Sequence, residues 1–142
     1  TASHCIRAWD FDGPTQVLSG ERVFAQLPMK PKTWTYGSAE AKLYAGRPDG
    51  AAVDAEGFYY AAMYEGHRLA KFAPDGRCVA FIETPVQCPT MPCFGGEDFK
   101  TLFITTSAHG RSDAELKALP NSGCVFATRV QTPGLPVRFF KN

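Results

Sequence analysis

Apolar and polar positions alternate near the start of the chain. His4-Cys5-Ile6-Arg7-Ala8-Trp9-Asp10-Phe11 and Glu21-Arg22-Val23-Phe24-Ala25 both follow a strand period, and Gly13-Pro14 lies between them as a turn signal. The pair predicts two strands of a meander. From Arg47 onward four more short strands are predicted, at residues 50–54, 58–63, 68–72 and 78–83, separated by Glu56-Gly57, Glu65-Gly66 and Pro74-Asp75-Gly76-Arg77. The connections are too short for anything but antiparallel neighbours. A four-stranded meander of about 35 residues is close to one blade of a β-propeller. Between the two groups, Pro28 to Gly46 holds prolines, glycines and aromatics without a sustained period, which reads as a long ordered loop.

A second unit of the same kind begins at Pro89. Residues 48–56 lie over residues 89–97 at a shift of 41, and Phe58-Tyr59-Tyr60-Ala61-Ala62 over Leu102-Phe103-Ile104-Thr105-Thr106 at a shift of 44. Arg68-Leu69-Ala70-Lys71-Phe72 then faces Cys124-Val125-Phe126-Ala127-Thr128, after an insertion from Ala108 to Ser122, and Val137 to Phe140 closes the unit. What matches is apolar periodicity and turn position. Within the insertion, Ser112 followed by Glu115 is a capping-box pattern, with Leu116 and Leu119 on one face of one or two helical turns. This is the only helix of consequence expected in an otherwise all-β chain. The predicted units are residues 1–30 (the end of a blade), 47–86 (a complete blade) and 89–142 (the last blade). They make roughly two and a half, whereas a closed propeller needs at least about four. The expectation is the C-terminal part of a longer propeller, completed by a missing N-terminal half or by a second chain.

Composition narrows the partners. With 15 Lys+Arg against 14 Asp+Glu in 142 residues, a net charge of +1 gives no footprint for a phosphate backbone, so nucleic acid is not expected. A hydrophobic share of 44% supplies a packed core, and no apolar run approaches the ~18 residues of a membrane span. The five cysteines are odd in number and widely spaced, which fits reduced core residues and a cytoplasmic location. Cys88 and Cys93, with prolines between them, lack zinc-site spacing. His4, His67 and His109 form no ligand or triad pattern. Lys71, Arg77 and Lys100 read as dispersed surface charges.

Several segments carry a resemblance. Arg47-Pro48-Asp49-Gly50-Ala51-Ala52-Val53-Asp54-Ala55-Glu56-Gly57, Gly66-His67-Arg68-Leu69, Phe72-Ala73-Pro74-Asp75-Gly76, Pro89-Thr90-Met91-Pro92-Cys93-Phe94-Gly95-Gly96 and Leu102-Phe103-Ile104-Thr105-Thr106-Ser107, in this order and spacing, resemble the regucalcin and gluconolactonase family of sugar lactonases. The resemblance covers nearly the whole chain. It implies an all-β, six-bladed propeller of which this chain forms the last two to three blades. It also implies one divalent cation (Ca, Zn, Mn or Mg) at the central channel and hydrolysis of an aldonolactone to an aldonic acid. The family holds its cation with a Glu, an Asn and the Asp of a Pro-Asp-Gly motif. Only the last has a match here, Asp49.

As a bare residue Asp49 is either a turn aspartate or a hard oxygen ligand. The resemblance makes it the metal ligand and candidate general base. Asp75, in the same tripeptide but joining outer strands, reads as turn chemistry. Thr90 takes in the next unit the place of Asp49, either reaching the channel or serving as an ordinary strand residue. Trp34 and Tyr36, with Tyr44, either stack on a sugar ring at the channel mouth or pack the loop. The rival readings are a non-enzymatic calcium- or ligand-binding propeller module and a protein-interaction surface.

Overall fold

The computed structural model describes residues 2–136 and contains three antiparallel sheets. Strands β1 (Cys5–Asp12) and β2 (Val17–Gln26) form the first. The second is a meander of β3 (Arg47–Val53), β4 (Tyr59–Tyr64), β5 (Arg68–Phe72) and β6 (Cys78–Glu83). The third is β7 (Pro89–Gly95), β8 (Thr101–Thr106) and β9 (Val125–Arg129). The strands predicted at 68–72 and 78–83 are found with those limits. The segment at Val137 to Phe140 lies outside the described residues.

Burial of the central strands β4 and β5 on both faces explains their composition. In β4, Tyr60 and Ala62 pack with Leu69 against Phe94, Leu102 and Ile104 of the third sheet. Ala61 and Met63 point the other way, meeting Ala70, Phe72 and Ala25, with Phe24 and Leu27 beside them. A strand covered on both faces reads as a continuous apolar run, which is why Tyr59-Tyr60-Ala61-Ala62-Met63 lacks alternation. Alanines at its centre let the neighbouring sheets approach. Met63 and Leu69 are fully buried, each contributing about 1.5–3 kcal/mol of transfer free energy.

The innermost strands β3 and β7 touch directly. A Cβ at Gly50 would lie 2.6 Å from the Thr90 carbonyl oxygen and 2.5 Å from the Met91 side chain, so only glycine permits this approach. Asp49 and Gly50 fall where the β3–β4 register shifts between Pro48 and Ala51, a local bulge that re-aims side chains.

Several expectations need correction. The segment 28–46 is not wholly loop: Ser38 caps a short helix, α1 (Ala39–Leu43), by accepting from the Ala41 N–H at 3.1 Å. The expected helix in the insertion is α2 (Asp113–Ala118), and Ser112 does accept from the Glu115 N–H at 3.3 Å. The Glu115 carboxylate does not close the box, because it is buried and engaged with Arg111. Of the five thiols only Cys88 is a core residue; Cys78 and Cys93 are exposed and Cys5 half-buried because their strand faces lie away from the two inter-sheet cores, and Cys124 is exposed just before β9. His4 precedes β1 and is buried, bonded to the Tyr44 hydroxyl at 2.6 Å. Lys71 is no loose surface charge. It sits 3.4 Å from the buried Asp54 carboxylate and over the Phe58 and Tyr60 rings. Asp54 itself accepts from the Glu56 and Phe58 N–H groups and the Tyr60 hydroxyl, closing the β3–β4 turn. No helix among the described residues is long and apolar enough to cross a membrane.

Candidate functional site

Strand register gathers the chemistry-bearing residues at one end of the sheets. Arg47 pairs with Tyr64 and Pro48 with Met63, so the start of β3 and the end of β4 share an edge, and Pro89 pairs with Thr106 at the same end of the third sheet. Asp49 therefore lies near the β4–β5 turn, and Thr90 near the start of the insertion. Asp49 is exposed on β3. Thr90 is half-buried, and its hydroxyl shares a hydrogen bond with the Thr105 hydroxyl at 2.8 Å. The Gly50 contact sets these two positions side by side across the β3–β7 junction. Asp75, by contrast, accepts the Arg77 N–H at 3.0 Å in a turn, as its position predicts.

Trp34 and Tyr36 line a different hollow, of about 410 Å³, that contains neither Asp49 nor Thr90. Its floor is a charged node that sequence reasoning missed. Glu65 sits in the tight β4–β5 turn with φ of +64°, fixed from below by Gln87, whose side-chain amide donates to the Glu65 carbonyl at 2.6 Å. Gly46 and Gly66 pack backbone to backbone behind it, leaving no space for a Cβ on either. The Glu65 carboxylate receives Lys30 at 2.8 Å, Arg111 at 2.8 Å and Arg47 at 3.0 Å. Arg111 in turn grips Glu115 with two parallel bonds of 2.8 and 2.7 Å.

The electrostatics follow from burial and partners. Burial alone pushes the Glu65 carboxyl up, and the bonds and charges of Lys30, Arg111 and Arg47 more than offset it, so the group sits below the usual 4.5. The Glu115 bonds hold Arg111 firmly protonated against the opposing effect of burial. Lys30 Nζ lies 4.0 Å above the Trp34 ring, and Arg47 stacks at 4.6 Å on Tyr64. Tyr44 meets Trp34 edge-on, and burial pushes its hydroxyl up to about 12. Five charged residues drawn from separate parts of the chain carry no local signature. The one legible hint was a glutamate in a glycine turn.

A divalent cation finds only a partial fit. Asp49 offers one hard oxygen donor, but among the described residues no three His, Cys, Asp or Glu side chains come together as a metal site. His4 is committed to the Tyr44 hydroxyl.

Comparison with known proteins bears on the family. Residues 1–108 match the family described as SMP-30/Gluconolactonase/LRE-like region. The chain is 45% identical over 130 residues to 6-deoxy-6-sulfogluconolactonase of Pseudomonas putida, an alignment covering 90% of this chain and 44% of that protein. It is 27% identical over 136 residues to regucalcin of Gallus gallus, covering 94% of this chain and 41% of the relative. Among solved structures, the calcium-binding protein regucalcin from Agrobacterium tumefaciens superposes with a TM-score of 0.77 at 24% identity, over 94% of this chain and 41% of that one. A luciferin-regenerating enzyme superposes at 0.70 and 25% identity, over 94% of this chain and 40% of that one. The chain thus spans less than half the length of these relatives. On the strength of the family match over residues 1–108, the chain belongs to the SMP-30/gluconolactonase/LRE-like family.

Proposed function

We propose that the protein containing this chain is a hydrolase that opens sugar lactones, adding water across the ring ester to release an aldonic acid. The observation that carries this reading is the 45% identity to a sulfogluconolactonase along 130 residues. In this reading the three sheets are successive blades of a six-bladed propeller, at residues 1–30, 47–86 and 89–142. The fold likeness to regucalcin supports that arrangement. The remaining blades come from an N-terminal half or a second chain. Five thiols without a disulfide support a reducing, cytoplasmic setting.

Asp49 is the residue assigned to the chemistry, as ligand to one divalent cation (Ca, Zn, Mn or Mg) and as candidate base. Its exposed carboxylate at the bulge beside β7 supports the assignment. A cation bound there would polarise the lactone carbonyl. In this reading the other ligands come from the rest of the propeller. As candidate base, Asp49 would take a proton from the attacking water, while the Thr90 hydroxyl beside it orients substrate. Trp34 and Tyr36, in the hollow over the charged node, would meet a part of the sugar carried away from the ring ester.

The test is lactone hydrolysis by the full-length protein, with added Mn, Zn or Ca, for wild type, Asp49→Asn and Asp75→Asn. Loss of a supporting partner around a metal lowers activity roughly 10- to 100-fold, so loss of Asp49 is expected to cost at least about a hundredfold. Asp75→Asn, in a remote turn, should match wild type. Equal activity of Asp49→Asn and wild type would remove Asp49 from the site. Metal binding without turnover of any lactone would favour the non-enzymatic calcium-binding reading, which regucalcin's description as a calcium-binding protein raises.

A further inference from the structure

The node around Glu65 has more hydrogen-bond donors than acceptors, and this surplus is exposed on one side. Both Glu65 oxygens are engaged by Lys30, Arg47 and Arg111, and both Glu115 oxygens by Arg111. Three cations face two carboxylates, so the node carries a charge of +1. Lys30, Arg47 and Arg111 have donors left over, since an ammonium carries three and a guanidinium five. The carboxylate side chains are only 4% and 1% exposed, whereas Lys30 and Arg47 are 30% and 32% exposed. Lys30 and Arg47 are thus the exposed members of the node, while Arg111, 8% exposed, is buried between the two carboxylates.

A second observation points the same way. Among the described residues Trp34 Nε1 is the single buried side-chain nitrogen or oxygen without a hydrogen-bond partner, and Trp34 lines the same hollow as Lys30 and Arg111. A buried indole N–H with no acceptor costs roughly 1–3 kcal/mol, so a ligand whose binding shifts the ring and brings an acceptor to this closed-off N–H relieves that cost. Position completes the argument. Arg47 lies two residues before Asp49, a span of roughly 6–7 Å along a strand, and links the start of β3 to the node through Glu65.

We propose that Lys30, Arg47 and Arg111, with the Trp34 N–H, form a subsite for an anionic substituent on the lactone. A sulfonate, carboxylate or phosphate carried away from the ring ester has the required charge and acceptor oxygens. Glu65 and Glu115 are positioning residues that hold the cations in place. The inference rests on the lactone-opening reading and deepens it: the substrate is an acidic sugar lactone, preferred over its neutral counterpart.

The experiment compares kcat/KM of the full-length protein for gluconolactone and for gluconolactone bearing a 6-phosphate or 6-sulfonate. The variants are Lys30→Met, which keeps the stem and removes the charge, and Lys30→Arg, which restores it. Wild type is expected to favour the anionic lactones at least tenfold. Lys30→Met should reduce that ratio about tenfold, added salt should reduce it in wild type, and Lys30→Arg should recover most of it. The anion giving the highest ratio identifies which of the two groups the subsite takes. A ratio near one in wild type, or a ratio that Lys30→Met leaves unchanged, overturns the subsite while lactonase activity stands. If wild type opens no lactone, the lactonase reading falls, and calorimetric binding of 6-phosphogluconate against gluconate decides the subsite. A tenfold preference lost in Lys30→Met retains it as an anion site, and no preference overturns it. A thermal melt of each variant reports folding separately.

Discussion

Arg111 is the residue whose removal tests the charged node most severely. Its side chain is 8% exposed and bridges two buried carboxylates, Glu115 at 2.7 Å and Glu65 at 2.8 Å. In Arg111→Met the apolar stem is retained, and Glu65 keeps Lys30 and Arg47. Glu115, 1% exposed, loses its ion-pair partner. Removing one member of a buried pair costs about 3–5 kcal/mol, because the other charge stays buried without compensation. We place this case at about 3 kcal/mol, since Glu65 is only partly deprived and α2 is short enough to shift. Replacing both residues, Arg111→Met with Glu115→Leu, removes the stranded charge and should return stability to within about 1 kcal/mol of wild type. The coupling energy would then be about 2 kcal/mol or more. Urea unfolding of the full-length protein, followed by tryptophan fluorescence and far-ultraviolet circular dichroism, measures all four corners of the cycle, with coincident transitions as the condition for a two-state treatment. A single variant within about 1 kcal/mol of wild type, or a cycle additive within about 0.5 kcal/mol, would refute the account of the node.

Three further outcomes are expected. The Glu65 carboxyl sits below its ordinary 4.5 when folded, so its contribution to stability is present above that pH and is lost as pH falls through the lower folded value; Glu65→Gln should flatten this acid limb in a series of pH-dependent melts. Gly50→Ala drives a methyl into the Thr90 carbonyl oxygen, 2.6 Å from the ideal Cβ, and should destabilise by about 1–3 kcal/mol, measured by denaturant midpoint. An unchanged midpoint would mean that β3 and β7 separate easily. Tyr44, pushed up to about 12 by burial, should not ionise below pH 11 in an ultraviolet titration of folded protein, and Tyr44→Phe should cost about 1–2 kcal/mol through the lost His4 bond.

The strands and their turns were legible in the sequence because each is a local matter. A period of two, a Gly or Pro at the connection and a β-rich composition fixed β5 and β6 to the residue, and the turn role of Asp75 followed from its place between outer strands. The family pattern was legible too, because it resides in ordered short motifs between Arg47 and Ser107. Capping of α2 by Ser112 was local and was found; the use of Glu115 was not, because a carboxylate's partner is chosen by what packs over it. Lys71 illustrates the same limit. Nothing near it in sequence reveals that Asp54, 17 positions earlier, is buried 3.4 Å away. The node of Lys30, Arg47, Glu65 and Arg111 joins a loop, a strand entrance, a turn and an insertion. Sequence periodicity reports which face of an element is buried, but ion pairing depends on which buried faces meet. That second choice was made only when three sheets packed together and brought distant charges to one edge.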